Sequence, residues 1–136
     1  MTIIKIYTSY FSNVKKIPAD IKRISIANFT PKKIKCDLYL PAAPPMDLLN
    51  KYKRGEVGEN EFIIEYESYL DSLDGKKVVK QLEQLAGGRD VVLLCYESIG
   101  DFCHRHLFLE WLQRFCKESV AICGEYCTNF KPPKNQ

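Results

Sequence analysis

No stretch of eighteen apolar residues occurs in the 136-residue chain, which argues against a membrane-spanning helix. The N-terminus, MTIIKIY, alternates like a strand and lacks the basic start and long apolar segment of a secretion signal. The expectation is a cytoplasmic protein with no membrane partner. Charge of one sign is also scarce: 20 basic and 17 acidic residues leave a formal +3. That excess permits an anionic ligand without demanding a nucleic acid. A glycine-rich phosphate loop is missing, because Gly87-Gly88 has no Lys-Ser/Thr after it and precedes a strand. No arginine follows Cys95 at the spacing of a phosphatase-type loop, and the surroundings of Ser9 do not form a nucleophile elbow. No Cys-x2-Cys pair is present; Cys95, Cys103, His104 and the pair Cys123-x3-Cys127 make a weak zinc pattern, so no metal is expected. Nothing resembles a complete flavin or nicotinamide site, and no cofactor is expected.

What remains suits one domain. The chain is 46% hydrophobic and 27% charged, enough for a real core at this length. Six cysteines stand at Cys36, Cys95, Cys103, Cys116, Cys123 and Cys127. A chain that supports its own core does not need them as bridges, so most read as reduced thiols. Strands are expected at Ile3–Tyr7, Arg23–Ala27, Val91–Cys95 and Ser119–Cys123, with an edge segment at Ile34–Leu40. Helices are expected at Met46–Lys53, from Asn60 to Leu73, over Lys77–Ala86, and from Asp101 or Phe102 to Cys116. Strand–helix alternation of this kind predicts an α/β fold: a single three-layer Rossmann-like domain with a short, mostly parallel sheet over residues 1–123, and a loose tail over 124–136.

The chain is organised around Val91–Cys116. Five uninterrupted apolar residues, Val91–Cys95, read as a fully buried strand; a short loop then leads to a helix opening with Cys103, His104, Arg105 and His106. Both histidines of the protein lie there. Open α/β sheets place ligands outside the carboxyl ends of their strands, at this kind of junction. An anion at the helix start could receive Arg105 as a bidentate partner. The same field would favour a Cys103 thiolate. Glu97 is the candidate general base, with His104 as its partner in proton transfer. Thr8 and Ser9, at the end of the neighbouring first strand, could bind a phosphate, a ribose or a base edge, and Tyr7, Tyr10, Phe11 and Tyr96 offer stacking surfaces. Each residue also has a plainer reading. Cys95 reads equally as a buried small apolar residue, Cys103 as a packing residue one turn before Leu107, and His106 as a surface partner of Glu110. Tyr66 and Tyr69 read as helix packing. Leu107, Phe108, Trp111, Leu112 and Phe115 are expected to form the buried face of the last helix.

Three pieces in order carry a resemblance: Tyr7-Thr8-Ser9-Tyr10-Phe11, Leu40-Pro41, and Leu93-Leu94-Cys95-Tyr96-Glu97 with Cys103-His104-Arg105-His106 and Glu110-Trp111-Leu112. Together they resemble the domain of unknown function 488 family, compact prokaryotic and phage α/β proteins, over Ile3 to Ala121. The resemblance implies an α/β domain with a cluster built from Thr8, Ser9, Cys95, Glu97, Cys103, His104 and Arg105. It implies no settled activity. The segment Leu40-Pro41-Ala42-Ala43-Pro44 departs from the family's usual Leu-Ala-Pro and is expected to shift one wall of the cleft.

The functional expectation is a strand-end cleft that binds or acts on a small anionic, nucleotide-like or nucleic-acid ligand. Glu97, Cys103 and His104 are the catalytic candidates, and Thr8, Ser9, Tyr10, Cys95 and Arg105 the ligand-binding ones. A non-catalytic module that sequesters a nucleotide or blocks a protein partner fits the same residues.

Overall fold

Among the described residues, five strands form one all-parallel sheet: β1 (Ile4–Tyr10), β2 (Lys22–Ser25), β3 (Asp37–Leu38), β4 (Val91–Cys95) and β5 (Val120–Glu125), in the spatial order β3-β2-β4-β1-β5. The computed structural model describes residues 3–96, 104–116 and 118–125. Every residue of β4 is fully buried, as a central parallel strand covered on both faces requires. β1 and β2 both pair with β4, so Val91 faces Ile6 on one side and Lys22 on the other.

Four described helices lie over one face. Pro45 precedes α1 (Met46–Lys53), and Gly55 beyond its end takes a positive φ of 75°. α2 (Glu59–Asp71) buries Phe62, Tyr66 and Leu70, a strict four-residue repeat. Asp74 caps α3 (Gly75–Ala86) by accepting from the Lys76 and Lys77 amides, and Gly87 ends it in the left-handed region. α4 is described from His104 to Cys116. These helices share one core with Ile6, Val91 and Leu93. The opposite face, with Val92 and Leu94, is covered by Phe11, Ile17 and Ile21, from the 3₁₀ segment Phe11–Lys16 and the chain after it, with Ile34 alongside. The layers are therefore unequal: the four α-helices contribute to one side, and short irregular chain supplies the other.

Three expectations change in detail. β1 runs past Tyr7 to Tyr10, so Thr8, Ser9 and Tyr10 pair with Leu93, Leu94 and Cys95 of β4 instead of forming a loop. β5 continues past Cys123 to Glu125, because its pairing with β1 shifts between Ile6 and Tyr7. Ile6 faces Ile122 and Tyr7 faces Gly124; Cys123 is the extra residue, and Gly124 accommodates the bulge at φ 94°. On α4, Phe115 is 61% exposed, whereas Leu109 is buried. The inward residues are Arg105, Phe108, Leu109, Trp111, Leu112 and Cys116, and Phe115 turns outward. No helix among the described residues is long and apolar enough to cross a membrane.

Candidate functional site

β4 and β1 are neighbours whose outgoing connections leave on opposite faces of the sheet. The chain after β1 packs with Val92 and Leu94, while α4, reached from β4, packs with Val91 and Leu93. Divergence of this kind opens a crevice at the carboxyl ends of the strands. A pocket of about 170 Å³ lies on the other side of β4, at the ends of β2 and β4. Asn28 and Phe29 from the turn after β2, Lys53 and Leu49 from α1, Tyr96 just after β4, and His104 line it.

Local bonds fix these walls. Ser25 Oγ accepts from the Ala27 amide at 3.4 Å and from Thr30 Oγ1 at 2.7 Å, which holds the turn carrying Asn28 and Phe29. Asn28 Nδ2 donates to the Pro44 carbonyl at 2.8 Å and ties that turn to the entry of α1. The tyrosines of α2 hold the neighbouring segment: Tyr66 Oη donates to the Ala42 carbonyl at 2.6 Å, and Tyr69 Oη to that of Pro41 at 2.8 Å. Both tyrosines are thus packing residues, as their helical spacing indicates. Phe29 is 61% exposed and Tyr96 52%, so two aromatic side chains border the pocket with much of their surface in solvent. Tyr96 is held by an edge contact with Phe11, ring centres 4.9 Å apart.

His104 forms the inner wall. It is 8% exposed, its Nε2 lies 2.6 Å from the Ile26 carbonyl, and its ring meets Tyr66 edge-on at 5.8 Å. Burial pulls its pKa down to about 4, against the raising effect of the Ile26 bond and with smaller lowering effects from Arg105 and His106. At neutral pH it is an uncharged imidazole. With Nε2 donating to Ile26, Nδ1 carries the lone pair.

Arg105 also turns inward and is fully buried. Its Nη1 donates to Cys95 Sγ at 3.0 Å, and its Cζ lies 5.9 Å from the centre of the Tyr10 ring. Tyr10 is the register partner of Cys95, so the ends of β1 and β4 and the start of described α4 meet in one cluster. Thr8 and Ser9 sit on β1 opposite Leu93 and Leu94 and are both buried; Ser9 Oγ accepts from Asn13 Nδ2 at 3.2 Å. The structure therefore brings Tyr10, Cys95 and Arg105 together, sets His104 against the pocket, and encloses Thr8 and Ser9. Glu97 and Cys103 lie outside the described residues.

Most of the six cysteines are expected to be reduced thiols, and of the four described ones three are. Cys95 is disulfide-bonded, whereas Cys36, Cys116 and Cys123 are free. Spacing alone could not show this, since six cysteines admit about fifteen complete pairings. Burial, ahead of nearby acidic groups, raises the pKa of all three free thiols, so they are protonated and unreactive at neutral pH. Among the described residues no group of three or more His, Cys, Asp or Glu side chains could hold a metal ion.

Sequence reasoning missed Asn28, Phe29 and Lys53. The first two were visible only as a break after a strand, and Lys53 joins them because α1 folds back over the sheet, which no local pattern signals. A groove of about 540 Å³ lies elsewhere, at the opening ends of β2 and β3, lined by Lys22, Arg23, Lys35, Cys36, Asp37 and Arg89.

No curated protein and no solved structure matches the chain. With its parallel sheet and the Tyr10–Cys95–Arg105 cluster at the strand ends, the chain belongs to the DUF488-N3a family, the active DUF488-N3 subclade, which matches residues 6–115.

Proposed function

We propose that the strand-end pocket binds a nucleotide-like ligand and acts on it. One observation carries the reading: two largely exposed aromatic residues, a lysine and an uncharged histidine border the same small pocket. Phe29 and Tyr96 offer π faces to a base, and Lys53 offers a charge to a phosphate. His104 Nδ1 is a proton acceptor, because its other nitrogen serves Ile26. Arg105 acts from behind, positioning Cys95 and Tyr10 rather than meeting the ligand from the surface. Glu97 and Cys103 enter on sequence grounds, as the base and the nucleophile or polar wall. The designation of the subclade as active favours turnover over mere binding.

The test is calorimetric titration with a panel of mononucleotides. Binding is expected to weaken roughly tenfold in Phe29→Ala, the loss of one stacked base face. Unchanged binding in that variant, or no binding of any nucleotide, refutes the reading. Turnover is expected to vanish in Glu97→Gln while binding persists; a pure binding module has no turnover to lose.

A further inference from the structure

Charge is unevenly distributed along the chain. Residues 11–36, which supply the layer over Val92 and Leu94, carry seven basic residues and one acidic residue. Residues 56–74, which include α2 on the other face, carry seven acidic residues and no basic one. The helical face also carries the exposed Lys51, Lys53, Lys76, Lys77 and Lys80, so the contrast lies between segments, and the marked excess of positive charge is that of residues 11–36. On the basic face Lys15, Lys16, Lys32, Lys33 and Lys35 are exposed, and so is Arg89 at its border. Lys22 is paired with Asp37 at 2.7 Å. Arg23 donates to the Val14 and Ile17 carbonyls, and Arg89 to those of Ala19 and Asp20, all neutral partners that leave the charges uncancelled.

Topology joins this face to the pocket. β2 and β3 are parallel, so the connection between them must run from the strand ends back to the strand starts. Its beginning, Asn28 and Phe29, lines the strand-end pocket; its end, Ile34, Lys35 and Cys36, lines the 540 Å³ groove. Lys32 and Lys33 stand between the two.

We propose that this connection is the docking track of a single-stranded nucleic acid: the phosphates follow Lys33, Lys32 and Lys35 into the basic groove, and one base enters between Phe29 and Tyr96. The base placement rests on the pocket reading above; the track rests on the basic segment 11–36 and its exposed lysines. A single strand fits because its bases are free to stack on exposed aromatic rings, whereas those of a duplex are already paired. A membrane surface fits poorly, since Phe29 is the large apolar side chain that residues 11–36 expose, too little to insert.

Fluorescence anisotropy of the full chain with a labelled mixed-sequence DNA oligonucleotide, across a salt series, tests this. Lys32→Glu/Lys33→Glu/Lys35→Glu is compared with Lys76→Glu/Lys77→Glu/Lys80→Glu on α3, equally exposed and equal in charge change. The track variant is expected to bind roughly tenfold or more weakly, with its log–log salt slope reduced by about 2, the share of three phosphate contacts. The α3 variant is expected to bind like the wild type. Equal weakening by both variants overturns the proposal. So does tighter association with phosphatidylserine vesicles than with the oligonucleotide, or salt-sensitive self-association in place of oligonucleotide binding. Mononucleotide binding separates the two readings: the track variant is expected to keep it and Phe29→Ala to weaken it. Oligonucleotide binding that needs the lysines but ignores Phe29→Ala leaves the track standing and overturns the base placement.

Discussion

Replacing His104 with glutamine should remove a defined part of the pH dependence of folding. The imidazole is buried and held at a pKa of about 4, against an ordinary 6.5. Between those values the unfolded chain takes up a proton at this residue and the folded chain does not. Stability therefore falls as pH drops through 6.5 and stops falling, for this group, below about 4. Fully developed, the effect is roughly 3 kcal/mol, of which about 2 kcal/mol separates pH 7 from pH 5. Glutamine keeps an amide donor for the Ile26 carbonyl and has nothing to titrate. The assay is urea unfolding at both pH values, without reductant, followed by the fluorescence of Trp111, which is the only tryptophan and is 2% exposed. Every other group is common to the two proteins, so the difference between them isolates His104. The wild type should lose about 2 kcal/mol more than the His104→Gln variant between pH 7 and pH 5. Equal losses would refute the buried, neutral assignment and with it the Nδ1 proton acceptor.

Two further outcomes follow from local contacts. Tyr66→Phe leaves the Ala42 carbonyl without the fully buried donor that now serves it, and should cost about 1–3 kcal/mol in urea unfolding. Tyr69→Phe, less deeply buried, should cost less; the reverse order would show that Tyr69 is the principal anchor of the Pro41–Ala42 segment. Alkylation of urea-unfolded, unreduced protein should modify Cys36, Cys116 and Cys123 and spare Cys95 until a dithiol reductant is added. Peptide mapping by mass spectrometry reads this directly, and labelled Cys95 in the unreduced sample would contradict the disulfide.

The sheet was legible where burial is extreme. A strand covered on both faces must be apolar at every position, and Val91–Cys95 could be read as nothing else. The stripe of Phe62, Tyr66 and Leu70 was legible for the equivalent helical reason. Arg105 was harder to read, because arginine is ordinarily a surface residue and its inward turn depends on Cys95 and Tyr10 from two other strands. Phe115 misled in the opposite sense: its spacing from Trp111 suits an inward stripe, yet the face that packs on the sheet is rotated toward Leu109. The pocket was half legible. His104 and Tyr96 flank the strand–helix junction, but Asn28, Phe29 and Lys53 arrive from chain many residues away, and only packing assembles them. The basic segment 11–36 lay open in the sequence all along, hidden by a modest net charge of +3.

The place of β4 between β1 and β2 also sets the order in which the molecule can be assembled. The two N-terminal strands have no ladder with each other; each pairs with β4. As the chain leaves the ribosome, β1 and β2 must wait for residues 91–95, across three helices, before either gains that partner. The loop closed by β1 and β4 is long, its entropy is spent before their ladder bonds form, and the strand edges that β4 will cover stay open in the meantime. The centre of the sheet thus closes only on the arrival of its central strand, and a chain interrupted before Val91 holds the partners of the β2–β3 ladder alone, with its other strand edges open.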